Sequence, residues 1–301
     1  MTTVGSGQTL NVSNGQVSAG VIVFSGGVLD VLSGGETTGA VVGGAEIVSS
    51  GGVASATIVS GGILAVFSGG LAIGALISGG DVYISAGGTV FTTDVEGSGN
   101  EIVVNGGAAS GGDVEGANAE QTVYGFASGA ILVSGGEQLV NSGGSASATT
   151  VNDGGYLLVQ SGGVAAGAII SGGTFELAGG GATGTAPVTF ETSAGGTLRL
   201  DDSVAFGGLI AGFGKPDYLD LSDIAFGSGT HLTFFRTPRS TSGALIVTDG
   251  VHTANLTLIG QYVTAQFTLA SDGHGGTLIG DPPVTAANEP GPSTDIAKPL
   301  S

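Results

Sequence analysis

Short apolar segments alternate with glycine-containing turns along the first two thirds of the chain. The segments are three to five residues long and rich in valine and isoleucine, and a glycine every eight to ten residues would interrupt any helix. An aliphatic residue recurs two positions before the serine, or in one case the aspartate, of each turn. These residues are Val23, Val31, Val48, Ile58, Val66, Leu76, Leu132, Val140, Val151, Val159 and Ile169. Such a column is typical of the inward-facing stack of a coiled parallel sheet, so the pattern predicts strands and no helices.

The turns recur at a regular spacing. The steps between their first glycines alternate between about 8 and about 10 residues, so every second turn lies 18 or 19 residues further on. This period indicates a repeat fold in which each unit buries its apolar face only against its neighbours. The sequence therefore predicts an all-β fold, a β-solenoid, with two strands and two corners in each unit of 18–19 residues. Residues 8–196 would form roughly 10 turns at this period.

Three regions are predicted from changes in composition. Residues 1–196 form the glycine-rich β-solenoid repeat domain. In residues 197–281 glycine thins and phenylalanine becomes frequent, which predicts a β-rich capping segment over the open strand edges of the solenoid. Residues 282–301 contain five prolines and no apolar pattern, and are expected to be a disordered tail.

Charge and composition exclude several functions. The net charge is −19, and no lysine or arginine precedes Arg199. Such a surface repels nucleic acid and anionic membranes, so neither is expected as a partner. The chain has no cysteine, no apolar stretch long enough to cross a membrane as a helix, and no basic and apolar leader after Met1. We therefore expect no membrane insertion and no cleavable signal peptide.

The iterated Val-x-Ser-Gly-Gly turns, the 19-residue unit and the lack of cysteine resemble the stalk repeats of AIDA-type autotransporter adhesins over roughly residues 8–196. Residues 210–214, 218–224 and 267–277 are similar to segments that follow such repeats in large secreted bacterial proteins. The resemblance implies a right-handed parallel β-helix that is secreted or displayed on the bacterial surface. It also implies adhesion or self-association, with a second copy or with glycans or proteins of host and environmental surfaces. Type I secretion, or a place within a longer adhesin, would account for the missing signal peptide.

Some members of this family carry heptose on serines of their repeats, so the resemblance also implies candidate modification sites in this chain. The candidate O-glycosylation sites are Ser25, Ser33, Ser60, Ser68, Ser78, Ser142, Ser161 and Ser171. The alternative is that these hydroxyls only satisfy the backbone of their turns.

A structural calcium ion is the candidate metal, and no other cofactor is expected. Asp217, Asp220 and Asp223 lie three residues apart, and Asp272 begins a glycine-rich turn. Carboxylate oxygens on tight turns are the ligands that Ca²⁺ prefers. Solvated acids and Asx-turns are the alternative interpretation. The three histidines, at positions 231, 252 and 274, show no paired metal-ligand spacing.

A non-catalytic, adhesin-like rod is the leading functional hypothesis. The first alternative is a carbohydrate-active enzyme on the same scaffold, with Asp94 and Glu96 or Asp113 and Glu115 as acid pairs. The repeat region lacks lysine, arginine and histidine, which a lyase would need for charge stabilisation. We therefore expect no enzymatic activity. The second alternative is a passive scaffold domain of a larger secreted protein.

Overall fold

The structure is a computed structural model that describes residues 1–192, 194–236, 240–260 and 262–280. The tail predicted for residues 282–301 lies outside the described residues. Within the described part of the chain there is no α-helix, and the one helical segment is a 3-10 turn at Thr264–Gln266.

The chain winds into a β-solenoid whose turns each place short strands on three faces, named A, B and C. Face A consists of Thr3–Val4, Ile22–Val23, Val41–Val42, Asp94–Glu96, Asp113–Glu115, Ile131–Val133, Thr150–Asn152, Ile169–Ser171, Val188–Phe190 and Leu209–Ala211. Face B consists of Thr9–Val12, Val28–Val31, Ala45–Val48, Gly99–Val103, Glu120–Val123, Glu137–Val140, Tyr156–Val159, Thr174–Leu177, Gly196–Leu200 and Asp217–Leu221. Two longer strands, Ile58–Val66 and Leu76–Ile84, continue from face A into face B. Face C consists of Val17–Ala19, Glu36–Thr38, Val53–Ser55, Leu71–Ile73, Thr89–Phe91, Ala108–Ser110, Phe126–Ser128, Ser145–Ser147 and Val164–Ala166.

Each strand pairs in parallel with the corresponding strand one turn later. On face C, for example, Leu71 pairs with Thr89 and Ile73 with Phe91. About 11 turns stack in this way, with a repeat of roughly 19 residues, which confirms the predicted β-solenoid.

The repeating unit contains three strands and three corners, so the predicted two-strand unit is wrong. In most turns the corner between faces C and A has a single residue with positive φ, such as Gly20 at 61°, Ala56 at 52° or Thr92 at 51°. Because one left-handed residue suffices in those turns, and it is not always glycine, this corner leaves no regular series of glycine pairs in the sequence. The exception is the pair Gly111 and Gly112, which both have positive φ.

The core is built from inward side chains that alternate with outward ones along each strand. Most of the aliphatic residues predicted to point inward do so, including Val23, Val31 and Val140. Ile58, Leu76 and Ile169 were assigned to the wrong side. The next residue of each strand is buried instead: Val59, Ile77 and Ile170. The corner after these strands is one residue shorter than the corner at Ser25, and a shift of one residue turns every side chain of a strand to the opposite face.

The second glycine of each pair is required by close contact between turns. At Gly144, a Cβ atom would lie 2.2 Å from the carbonyl oxygen of Val123 in the preceding turn. The first glycine, Gly143, has φ of 82° and open space around it. The two glycines of a pair therefore serve different purposes, since one permits the left-handed backbone and the other permits close stacking.

The glycine spacing is irregular between residues 97 and 129, yet the solenoid continues through this stretch. Gly99–Val103, Ala108–Ser110 and Phe126–Ser128 occupy their faces in register with their neighbours. Within this stretch the corner between faces A and B lengthens from residues 97–98 in one turn to residues 116–119 in the next.

Five further strands, connected as antiparallel hairpins, cover the open edges at the C-terminal end. They are His231–Arg236, Ser242–Thr248, Thr253–Ile259, Thr268–Ser271 and Thr277–Gly280. Thr253–Ile259 pairs in parallel with the last strand of face A, and Thr277–Gly280 pairs antiparallel with the last strand of face B. This pairing supports the proposal that residues 197–281 act as a cap, although parallel stacking continues past Gly196 as far as Leu221.

Five aromatic rings close the core beneath these strands. Phe213 packs against Phe190 at 5.5 Å and against Phe267 at 6.4 Å between ring centroids. Phe267 also contacts Phe234 and Tyr262, and the Tyr262 hydroxyl donates a hydrogen bond to the carbonyl oxygen of Phe213 at 2.9 Å. The rings shield the last turn of the core from water.

Candidate functional site

The acidic side chains are unevenly distributed over the three faces. Faces A and B carry nine outward-facing carboxylates on their strands within residues 3–177. These are Asp30, Asp81, Asp94, Glu96, Asp113, Glu115, Glu120, Glu137 and Glu176. Among the outward residues of face C, all of which the structure describes, Glu36 is the only charged one. The solenoid therefore has two acidic faces and one nearly uncharged face.

The four acids considered for catalysis form one exposed patch on face A. Glu96 lies beside Glu115 on the neighbouring strand, and Asp94 accepts a hydrogen bond from the backbone N–H of Asp113 at 3.1 Å. Burial, and then the Asp94 and Glu115 carboxylates, raise the pKa of Asp113. All four lie on an open strand face, which holds a substrate poorly.

Two further acids, neither of which was predicted from the sequence, point into the core. Glu46 is fully buried on face B and accepts hydrogen bonds from the hydroxyls of Thr37 at 2.6 Å and Thr57 at 2.7 Å. Burial raises its pKa despite these two bonds.

Glu101 is the first residue in a row of buried, hydrogen-bonded polar side chains that spans three turns. Gln121 Nε2 donates to Glu101 Oε1 at 2.6 Å, Gln138 Nε2 donates to Gln121 Oε1, and the Thr149 hydroxyl donates to Gln138 Oε1 at 2.8 Å. Glu101 Oε2 and the hydroxyl of Thr93 are buried near each other, and neither makes a well-formed hydrogen bond within the described residues. Burial raises the pKa of Glu101 to about 7, against the lowering effect of Gln121 and Thr93.

The inward orientation of these polar residues could have been predicted from their positions in the repeat. Glu46, Glu101, Gln121 and Gln138 each lie two positions before a buried valine, in the slot that Leu29 and other apolar residues fill elsewhere. Since side chains of a strand alternate, a residue in this slot must point inward.

The candidate serines fall into two rows. Ser25, Ser60, Ser78 and Ser171 lie where face A meets face B, and Ser33, Ser68, Ser142 and Ser161 lie where face B meets face C. All except the half-buried Ser171 are exposed. In the second row, successive turns are joined through their corner backbones. The N–H of Gly143, for example, donates to the carbonyl oxygen of Gly162 at 3.0 Å.

The four acids nominated for calcium are not gathered into one set of ligands. Asp217 is buried at the start of its strand, accepts a hydrogen bond from the Gly214 N–H at 3.0 Å, and has its pKa raised to about 6 by burial. Asp223 accepts from the Ser203 hydroxyl at 2.6 Å, whereas Asp220 and Asp272 lie near each other. No group of three or more His, Asp or Glu side chains in the described part of the chain is arranged to hold a metal ion. The calcium site stays a prediction, without support from this geometry.

Two of the histidine rings contact their own turns in the C-terminal segment. His231 Nδ1 lies 2.9 Å from the Gly229 carbonyl oxygen, and His252 Nδ1 lies 3.3 Å from Asp249 Oδ2.

The chain is similar in sequence and in fold to bacterial adhesins. A family profile described as "adhesin of bacterial autotransporter system, probable stalk" matches residues 122–174. The chain is also similar to the crystal structure of the TibC-catalysed, hyper-glycosylated TibA fragment, with 32% sequence identity and a TM-score of 0.56. That match covers 70% of this chain and 84% of the TibA fragment. The chain belongs to the autotransporter adhesin stalk family. No curated protein sequence matches it.

The adhesin stalk is thus an adhesin-like β-solenoid, as the resemblance implied. Its family and its structural neighbour indicate a non-enzymatic role and a secreted or surface location. Within the residues that the structure describes, no helix of the adhesin stalk is long and apolar enough to span a membrane.

Proposed function

We propose that this adhesin stalk is displayed outside a bacterial cell, where it acts as a rod in adhesion or self-association and catalyses no reaction. The observation that carries the proposal is the unbroken parallel stacking from Thr3 to Leu221, with the core closed at one end by the aromatic rings. Such a rod has long exposed faces for contact with a second copy, or with glycans or proteins of a host or environmental surface.

Clustering of protein-coated beads tests this function. The charge of −19 opposes contact between copies, so we expect clustering to increase with salt and with millimolar calcium and to decrease with a chelator. Binding to immobilised glycans and matrix proteins is measured on the same beads. If the beads neither cluster nor attach to any surface under any ionic condition, the proposed function is wrong. Release of reducing ends from acidic and neutral polysaccharides would instead support the enzymatic alternative.

A second proposal concerns modification of the adhesin stalk. The TibA fragment is hyper-glycosylated by TibC, and here seven of the eight candidate corner serines are exposed in two rows along the rod. We propose that these serines accept O-linked sugars. Proteolytic peptides that contain these corners, taken from protein made in its native host, should then be heavier than their bare sequences by the mass of one or more sugars. Corner peptides at their unmodified masses would contradict the proposal.

A further inference from the structure

Two Asn-Gly dipeptides lie at corners of the rod where face B meets face C. They are Asn14-Gly15 and Asn105-Gly106, and all four residues are exposed to solvent. An asparagine side chain that precedes glycine is open to attack by the backbone nitrogen of that glycine, because no Cβ atom hinders the approach. Exposure and sequence are alike at the two sites, so any difference in their reactivity must come from the backbone.

The backbone N–H of Gly15 makes a hydrogen bond, and that of Gly106 does not. The Gly15 N–H donates to the Gly34 carbonyl oxygen in the next turn at 2.6 Å. The Gly106 carbonyl oxygen accepts from the Gly87 N–H at 2.7 Å, but the N–H of Gly106 has no hydrogen-bond partner among the described residues. The nitrogen that would attack is therefore held at one site and unheld at the other.

The unpaired N–H results from a change in corner length. The corner at residues 104–107 has four residues, whereas the corresponding corner of the next turn, at residues 124–125, has two. The shorter corner lies close beneath the longer one. A Cβ atom on Gly125 would be 2.3 Å from the Val104 carbonyl oxygen and 2.6 Å from that of Gly107. Residues 105 and 106 therefore project beyond the next turn, which places no carbonyl oxygen of the described rod opposite the Gly106 N–H.

We propose that Asn105 is a site of spontaneous deamidation and that Asn14 is protected from it. The Gly106 nitrogen attacks Cγ of Asn105 and closes a succinimide ring. The bond from Cγ to Nδ2 breaks, and Nδ2 leaves as ammonia with the proton released from the Gly106 N–H. Water then opens the ring at either carbonyl carbon, which gives aspartate or isoaspartate. One water is consumed and one ammonia released, so the mass of the chain rises by about 1 Da.

The hydrogen bond of Gly15 opposes the same reaction at Asn14. The attacking nitrogen must lose its proton and turn toward the side chain, so its bond to the Gly34 carbonyl oxygen has to break first. The net stabilisation by one hydrogen bond corresponds to a factor of about five in the equilibrium between the bonded and the open state. In the folded chain, Asn105 should therefore react about fivefold faster than Asn14, or more.

Both products change the corner. Aspartate adds a negative charge at an exposed position. Isoaspartate also inserts a carbon atom into the backbone just before Gly107, where a Cβ atom would lie 2.5 Å from the Ile84 carbonyl oxygen. Because this position has no room for displacement, isoaspartate should loosen residues 104–109, whereas the substitution Asn105→Asp should not.

Peptide mapping of the aged full chain tests the inference. The protein is held folded in mildly alkaline buffer, sampled over time, unfolded and cleaved after glutamate. Cleavage after Glu101 and Glu115 releases residues 102–115, in which Asn105 is the only asparagine. Asn14 is followed in residues 1–36, where fragmentation separates it from Asn11. A chain held in denaturant alongside gives the intrinsic rates of the two sequences.

We expect the ratio of the two rates, Asn105 to Asn14, to be about fivefold greater or more in the folded protein than in the denatured chain. Isoaspartate, measured by enzymatic methylation, should appear in residues 102–115 and be absent from Asn105→Gln, because the longer glutamine side chain closes the ring poorly. Amide hydrogen exchange at residues 104–109 should be faster in the aged protein than in Asn105→Asp.

Each readout has a result that contradicts the inference. An equal ratio in the folded and denatured protein, or faster reaction at Asn14, overturns it. So does a peptide 102–115 that keeps its mass in the folded protein while the denatured chain gains about 1 Da. Equal hydrogen exchange in the aged protein and in Asn105→Asp overturns the expected effect of isoaspartate on the corner. These outcomes leave the proposed function unchanged, because the inference does not rest on it.

Discussion

Replacing Glu101 with glutamine is expected to stabilise the solenoid at neutral pH and to change its stability little in mild acid. Glu101 is 1% exposed, and its Oε2 atom has no hydrogen-bond partner among the described residues. An ionised carboxylate at this position would be buried without an ion pair, which costs free energy. The Glu101 side chain therefore stays protonated until the pH reaches about 7.

The direction and the magnitude of the effect of Glu101 on stability follow from its pKa. The pKa of Glu101 rises from 4.5 to about 7 on folding, so the folded chain binds the proton more tightly than the unfolded chain. At a pH below both values the group makes no difference to stability. Between the two values the unfolded chain ionises and the folded chain does not, so stability falls as pH rises. The penalty reaches about 3 kcal/mol near pH 8 and is under about 1 kcal/mol near pH 5.

Glutamine removes this penalty and fits the site. Gln121 and Gln138 fill the same slot in the next two turns, so Glu101→Gln extends an existing row of side-chain amides. Its Oε1 still accepts from Gln121, and its Nε2 supplies a donor beside the unpartnered hydroxyl of Thr93.

The assay is denaturant unfolding of the variant and the parent protein at about pH 5 and about pH 8, together with hydrogen exchange of residues 99–140. Both pH values lie above the isoelectric point, near 4.1, which keeps the protein soluble. Glu137→Gln is the control, because Glu137 is exposed on the strand that carries Gln138 and the charge change is identical. Equal stabilisation by Glu101→Gln at both pH values, or an equal pH-dependent gain from Glu137→Gln, would refute the reasoning.

Three further predictions follow from the corners, the cap and the acids. Gly144→Ala should destabilise the protein by more than the roughly 1–2 kcal/mol expected for Gly143→Ala in a left-handed position, because only the former collides with a carbonyl. Equal losses in the unfolding free energy would contradict this. Phe267→Ala should lower the free energy of unfolding by about 3–5 kcal/mol and expose the end of the core to a hydrophobic dye. An unchanged melting temperature would contradict the closing of the core by the aromatic rings. Calorimetric titration with millimolar calcium should give no saturable heat, whereas a saturable signal lost in Asp220→Asn would establish the calcium site.

The period and the core of the solenoid were accessible from the sequence because they depend on local rules. A corner that lies against the backbone of the preceding turn needs glycine, and a stacked interior needs one aliphatic residue per strand, so both leave a spacing that can be counted. The third face was not predicted because its corner needs only one left-handed residue, which at Ala56 and Thr92 is not glycine.

The remaining features depend on contacts between turns that are distant in sequence. The pairing of Gln121 with Glu101, and the approach of Gly144 to the Val123 carbonyl, exist only once successive turns are stacked. The acids nominated for calcium illustrate the converse. Spacing in the sequence placed Asp217, Asp220 and Asp223 together, yet side chains three apart on a strand and its following turn point in different directions.

A distance measurement between two spin labels tests the rod most directly. Ala19 and Ala166 occupy the same column of face C, and eight successive pairings separate them. In the cysteine-free chain, labels on Ala19→Cys and Ala166→Cys should give a narrow distribution near about 38 Å, at about 4.8 Å per turn. Moving the second label from position 166 to Ser147→Cys should shorten the distance by one such step. A broad distribution, or a distance that does not shorten by one step, would contradict a stacked β-solenoid stalk.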